Sequence, residues 1–309
     1  SFSGGSGSPY SSLSPANFYE KINGTNTQGL SVTGGSVPAY DNAFQILLSK
    51  ESYQFNIITA PGLTVSEHDN TLRQMVSLAE SRQDCIAVID LAGFNQSSIA
   101  TIQQNARAHD SSYASTYWPW LQTVDSGKSV WVPASTMIPG VFAFTDASSE
   151  PWFAPAGMIR GGLGRVIQPS RKLTTKNRGD LYSFNVNPIS FFPNHGVVVF
   201  GQKTLQKKGS SLDRVNVRRL LIELKGYISQ VADTLVFEQN TAATRNNFLS
   251  NVNPYLETVQ QRLGLYAFKV TMDESNNDAA SIDRNELRGQ ILLQPTKTIE
   301  YILLDFNIT

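Results

Sequence analysis

From about Leu30 onward, short runs of β-branched and aromatic residues alternate with longer runs whose apolar positions recur every three to four residues. That alternation predicts an α/β protein, a mostly parallel sheet with helices packed on it. Residues 53–59 (YQFNIIT) and 85–91 (CIAVIDL) have the length and composition of buried strands. Between them a helix is expected to begin near Ser66, which would cap the first turn, with Glu67 and Asp69 at the positive end of the helix dipole. Leu72, Met75, Val76 and Ala79 then share one face, and a second helix near 97–108 groups Ile99, Ile102 and Ala106 in the same way.

Residues 128–133 (KSVWVP) read as another strand, and 134–146 as a helix with Pro139 in its first turn. The Pro/Gly-rich run 151–164 reads as a boundary, so residues 29–164 and 165–309 are expected to form two α/β domains. In the second, 196–201 is a strand and 213–235 a long helix, with Val217, Leu220, Leu221, Leu224 and Ile228 on one stripe. A second long helix over 241–263 and strands at 268–273, 287–294 and 298–306 complete it. No internal repeat is visible, which argues against a solenoid. Residues 1–28 open as SFSGGSGSPYSSLSP, a composition too poor in apolar residues to offset its own ordering entropy, and read as a linker or the remnant of an upstream domain. Both ends are expected to be cut from a longer chain.

Charge and cysteine usage narrow the function classes. Twenty-five Lys and Arg balance twenty-five Asp and Glu, leaving no surplus of positive charge for a phosphate backbone or an acidic lipid surface. Nucleic acid and stable membrane insertion are therefore not expected, the latter also because the apolar runs fall far short of the roughly 20 residues that span a bilayer. Cys85 is the only cysteine, so an internal disulfide is impossible, and a reducing cytoplasm suits the chain. Forty per cent of the residues are apolar, enough for a substantial core.

Several constellations invite a chemical reading. Asp90, His109 and Ser135 follow the chain order of a subtilisin-like triad, with 134–139 (ASTMIP) placed as a nucleophile turn at a helix start. However, Ser and Thr are transposed relative to that motif, and His109 sits in ARAHDSS without small neighbours that would admit a substrate; a helix-start serine and a solvated helix-end histidine are the favoured readings. The stretch 273–278 (DESNND) carries oxygen ligands without calcium-loop spacing and reads as a polar turn, as does the glycine-rich 160–165. The three histidines, His68, His109 and His195, are widely separated, so neither a metal nor another cofactor is expected. Finally, Arg218 and Arg219 point to different sides of their helix, so at least one faces the stripe of Val217 and Leu221; Glu238 is the candidate carboxylate partner, with two solvated arginines the open alternative.

Beyond these readings the chain resembles the contractile tail sheath proteins of myophages, in particular the T-even and giant-phage type. The resemblance runs from about Leu30 to the end through 82–90 (RQDCIAVID), 131–146 (WVPASTMIPGVFAFTD), 151–161 (PWFAPAGMIRG) and 186–205 (VNPISFFPNHGVVVFGQKTL). It continues through 213–220 (DRVNVRRL), 237–248 (FEQNTAATRNNF), 273–278 (DESNND), 282–286 (IDRNE) and 295–306 (PTKTIEYILLDF). The resemblance implies a first domain of subtilisin-like fold without a working triad, then a sheath C-terminal domain lying nearest the tail tube. It further implies subunits that polymerise as rings around the tube, join through strands contributed by chain termini, and contract on a baseplate signal to drive the tube through the host envelope. The implied setting is the virion tail, assembled in the host cytoplasm, with other sheath subunits, tube and baseplate as partners. The family's amino-terminal arm is expected to be missing, so this chain alone is expected to be monomeric. The sheath of a headless injection particle, a serine hydrolase of subtilisin-like fold and an adhesin module are the competing readings.

Overall fold

The computed structural model describes residues 39–94 and 96–300, which fall into two compact units divided after Ile222. Unit 1 opens with α1 (Ala39–Leu47), β1 (Ile57–Thr64) and α2 (Val65–Arg82). Strand β1 begins later than the sequence predicts and runs through Pro61 and Gly62, because the register against its neighbour slips between Thr59 and Thr64 and Gly62 takes a φ of 97° there. The cap expected of Ser66 is not made: α2 begins at Val65, and the Ser66 N–H donates to the Leu91 carbonyl across the sheet at 3.2 Å. A kink at His68 (φ −133°, ψ 35°) follows within the first turn. Leu72, Met75, Val76 and Ala79 are all buried, as their spacing requires.

Then come β2 (Ile86–Asp90), α3 (Ile99–Arg107), β3 (Ala114–Trp118), β4 (Leu121–Asp125), β5 (Lys128–Val132), α4 (Ile138–Ser148) and α5 (Gly157–Arg160). They are followed by β6 (Val166–Pro169), α6 (Thr175–Ser183), β7 (Asn187–Phe192) and β8 (Gly196–Val199). Ser98 caps α3 by accepting from the Thr101 N–H, and Pro139 sits in the first turn of α4. The main sheet has the order β1-β2-β3-β7-β8, parallel as far as β7 and closed by the antiparallel β8. Strands β2 and β3 are buried at every position, as expected when both sheet faces are covered. Ala87 and Ile89 join one cluster with Leu72, Met75, Ile102 and Leu181, whereas Ile86 and Val88 join another with Phe142, Ile189, Val199 and Val215. A smaller antiparallel sheet, β5-β4-β6, completes the unit.

The boundary read at 164 is corrected here. Strands β7 and β8 lie beyond it yet pair onto β3 and onto each other, so residues 165–222 belong to unit 1. The glycine-rich stretch turns at Gly164 and Arg165 as expected, but before that it runs along the edge of β8, where Gly161 accepts from the Val199 N–H at 2.8 Å and Leu163 donates to the Val197 carbonyl at 2.9 Å. A Cβ on Gly161 would come within 2.5 Å of the Val199 carbonyl oxygen, which is why glycine stands there.

Helix α7 (Val215–Asp233) contains the division between the units. Unit 2 then holds α8 (Ala242–Gln261), β9 (Leu265–Thr271), α9 (Ala279–Asp283) and β10 (Gln290–Pro295). Thr241 caps α8, and Tyr227 of α7 stacks on Tyr255 of α8 with ring centroids 3.8 Å apart. Phe248, Val252, Leu256 and Val259 form the buried stripe of α8. Strands β9 and β10 pair antiparallel into a two-stranded sheet. The expected strand at 298–306 lies outside the described residues from 301 on, and 298–300 are not strand. The readings of 1–28 also lie outside them.

Candidate functional site

Two of the three triad candidates meet, and they meet without the third. Asp90 ends β2 and Ser135 lies in the 3-10 turn before α4; the Ser135 hydroxyl donates to Asp90 Oδ2 at 2.5 Å and its backbone N–H donates to Oδ1 at 3.1 Å. Burial pushes the Asp90 carboxyl up to about 7, against the opposing pull of those two bonds. His109 bonds a different carboxylate, Asp69, at 2.9 Å, and Asp69 also accepts from Arg73 at 2.7 Å. His109 is buried, which corrects the solvated reading, and its desolvation lowers its pKa below the ordinary value. A serine nucleophile needs a base and an approach for substrate. Ser135 is 1% exposed and its hydroxyl proton faces a carboxylate, so this geometry joins the end of β2 to the start of α4 and is not a triad.

The paired arginines are both buried, on separate sides of the helix. The Arg219 Nη2 donates to both Asp146 oxygens at 2.6 Å, and its guanidinium lies 4.7 Å from the Phe142 ring centre. Arg218 bonds the Ser112 hydroxyl and lies 3.9 Å from the Tyr113 ring centre, with burial lowering its pKa. The expected carboxylate was the wrong one: Glu238 is exposed, in the α7–α8 turn of unit 2. Sequence reasoning missed Asp146 because it stands 73 residues before Arg219 on another helix, with no local spacing to mark it. Of the predicted stripe, Val217, Leu220 and Leu224 are buried, whereas Leu221 is only half-buried; Val215 and Ile222 take the remaining inward positions.

The stretch 273–278 spends its oxygens on its own backbone. Asp273 accepts from the Ser275 hydroxyl at 2.5 Å and N–H at 2.8 Å, and Asp278 from the Ser281 hydroxyl at 2.7 Å and N–H at 2.9 Å, bonds that hold both carboxyls below the usual range. Asn277 donates to the carbonyls of Asp273 and Arg288. These contacts build the polar connection that the sequence predicts. Among the described residues no group of three His, Cys, Asp or Glu is placed to hold a metal, and no helix is long and apolar enough to cross a membrane.

The sheet of unit 2 is built differently from those of unit 1. Among the described residues β9 and β10 each pair only with the other, leaving both outer edges without a strand. Tyr266 of β9 and Leu292 of β10 stand exposed on the sheet's faces. A two-stranded sheet is marginal alone and its free edges are templates for a further strand.

Comparison with known proteins places these features. Residues 34–205 match the model of the phage tail sheath protein central domain, and residues 207–309 that of the phage tail sheath C-terminal domain. The tail sheath protein of Vibrio phage KVP40 is 41% identical over 179 residues, covering 58% of this chain and 27% of that protein. The tail sheath protein of Enterobacteria phage T4 is 30% identical over 329 aligned positions, covering 98% of this chain and 50% of that protein. The chain therefore spans half or less of the length of these curated relatives. In fold it is similar to the contracted sheath of the extracellular contractile injection system PVC, with a TM-score of 0.73, 24% identity and coverage of 82% of this chain and 71% of that one. A chain of the anti-feeding prophage baseplate gives a TM-score of 0.68 at 21% identity, covering 83% and 69%.

Proposed function

This chain belongs to the phage tail sheath protein family, and from that premise we propose that it is part of a structural subunit that polymerises around a tail tube and contracts to drive it through a host cell envelope. Its partners are other sheath subunits, the tube and the baseplate, and its place is the virion tail, assembled in the host cytoplasm. The observation that carries the reading is the contrast between a five-stranded sheet in unit 1, whose central strands are buried, and a sheet in unit 2 whose two strands pair, among the described residues, only with each other. Backbone hydrogen bonds to a strand contributed by a neighbouring subunit suit a joint that must survive rearrangement, since they hold while side-chain contacts slide. The work of contraction then needs no active site, because a small difference between two packings of stiff subunits is summed over many copies.

Electron microscopy of the parent particle with a gold-labelled antibody against this chain provides the test. Label along the tail in the extended state, compressed toward the head after contraction, is expected. Label confined to the head or to host-binding fibres would overturn the proposal. In isolation the chain should sediment as a species near 34 kDa at micromolar concentration, because an interface that slides is small and transient.

A further inference from the structure

The turn between α7 and α8 presents an aromatic side chain in an unusual way. Phe237 is 102% exposed, Val236 beside it is 58% exposed, and Phe237 has a φ of 73°. For a bulky residue without a left-handed preference, that conformation is strained and persists only where its surroundings enforce it. They do so here: Leu235 donates to the Ala232 carbonyl at 3.0 Å and Glu238 to the Leu235 carbonyl at 3.0 Å, bracketing Phe237 in consecutive turns. Folding of unit 2 gains nothing from a phenyl ring held wholly in water. Glycine would take the same φ without strain.

Unit 1 carries a surface of the matching kind. A groove of about 440 Å³ lies between α4, α5 and the β7–β8 turn, with Phe144, Ile159, Leu163, Val166, His195 and Val197 in its wall. Phe144 is 52% exposed and Ile159 82%, far more than an apolar side chain that has found its packing partner. The charges also correspond: Glu238 and Asp233 flank the aromatic tip and are exposed, while no acid lines the groove and Arg165, exposed, adjoins its wall.

We propose that the tip formed by Val236 and Phe237 of one copy seats in the Phe144 and Ile159 groove of a second copy. The sheath reading supplies the identity of the partner, and this contact specifies how two copies meet. A knob and a hole on different surfaces of one chain make a heterologous contact, which repeats head to tail and generates an open helical array when the rotation does not close. An aromatic anchor entering an apolar pocket is the kind of small contact that concentrates binding energy in few residues, leaving the remainder of the interface free to shift.

Cross-linking between single-cysteine variants of the whole chain tests this. The native Cys85 is fully buried with its thiol pushed up to about 12 by burial, so it stays out of the reaction. Val236→Cys mixed with Ile159→Cys should form the mixed disulfide on the order of tenfold faster than Val236→Cys mixed with Lys176→Cys, an exposed site on α6. Adding Phe237→Gly to the Val236→Cys variant should bring the rate down to that control while leaving the thermal midpoint unchanged or higher. Equal rates for the two mixtures, or a rate untouched by Phe237→Gly, would overturn the contact. Gold label on the tail together with equal rates would refute the contact alone, whereas fast cross-linking without label on the tail would refute the sheath reading and keep the self-contact.

Discussion

The two sheets of this protein are built to opposite specifications. In unit 1, β2 and β3 are buried at every position and flanked by strands on both sides, with helices and apolar clusters on both faces. In unit 2, β10 alternates exposed and half-buried positions, and its sheet has only one other strand among the described residues. A sheet of the first kind satisfies its own backbone and stores stability in its core. One of the second kind leaves hydrogen-bonding groups available among the described residues, a template for a further strand. On the proposed sheath reading, the difference separates a stiff body, able to transmit force, from a joint, able to take a neighbour's strand.

The comparison is sharpened most by core truncation. Leu220, 1% exposed, should lose about 2–5 kcal/mol on change to alanine. Leu221→Ala should cost clearly less because that side chain is half-buried. Equal losses in chemical denaturation would show that the inward face of α7 is misassigned.

Next in size is a pH effect centred on Asp90. Its folded-state pKa of about 7 lies above an unfolded value of about 3.9, so between these values the folded protein holds the proton and the unfolded chain does not. The contribution of this group is therefore fully favourable below about pH 4 and is lost at ~1.4 kcal/mol per pH unit as the pH rises toward 7. Asp90→Asn should flatten that slope in unfolding midpoints taken from pH 5 to 8. An unchanged slope would mean that the carboxylate ionises without cost.

The buried arginine gives a smaller contrast between the units. Asp146→Ala strands the Arg219 guanidinium and should destabilise by about 1–3 kcal/mol, less than for a wholly buried pair because the Asp146 side chain is 31% exposed. Glu238→Gln in the exposed turn should stay within about 0.5 kcal/mol. A larger loss from Glu238→Gln than from Asp146→Ala would restore the pairing expected from the sequence.

Smallest in stability is Leu292→Lys on the exposed face of β10, expected to change the chain's own unfolding by no more than about 0.5 kcal/mol. In the full-length subunit it should nonetheless reduce sheath assembly, since a lysine on an open sheet disfavours an added strand. Normal sheath yield from this variant, counted by electron microscopy, would argue that the β9–β10 edges are not the joint.

How much was legible follows the range of the forces involved. Strand β2, helix α3 and the long helices α7 and α8 were visible in the sequence because local periodicity specifies them, whereas the Ser98 cap of α3 was not read and the Ser66 cap that was expected is not made. The α/β class and the motifs shared with tail sheath proteins were visible for the same reason, as patterns carried by neighbouring residues. Strand β7 was not visible: NPISFF has a proline near its start, and it becomes a strand because β3 and β8 hold it from both sides. The partner of Arg219, the meeting of Asp90 with Ser135 and the extension of unit 1 past residue 164 join residues 73, 45 and dozens of positions apart. Sequence determined which side chains needed a partner, because burying a charge or an apolar face has a cost that composition and spacing reveal. Only the tertiary structure decided which partner each received, because chain entropy leaves many distant pairings open until the whole core closes around one of them.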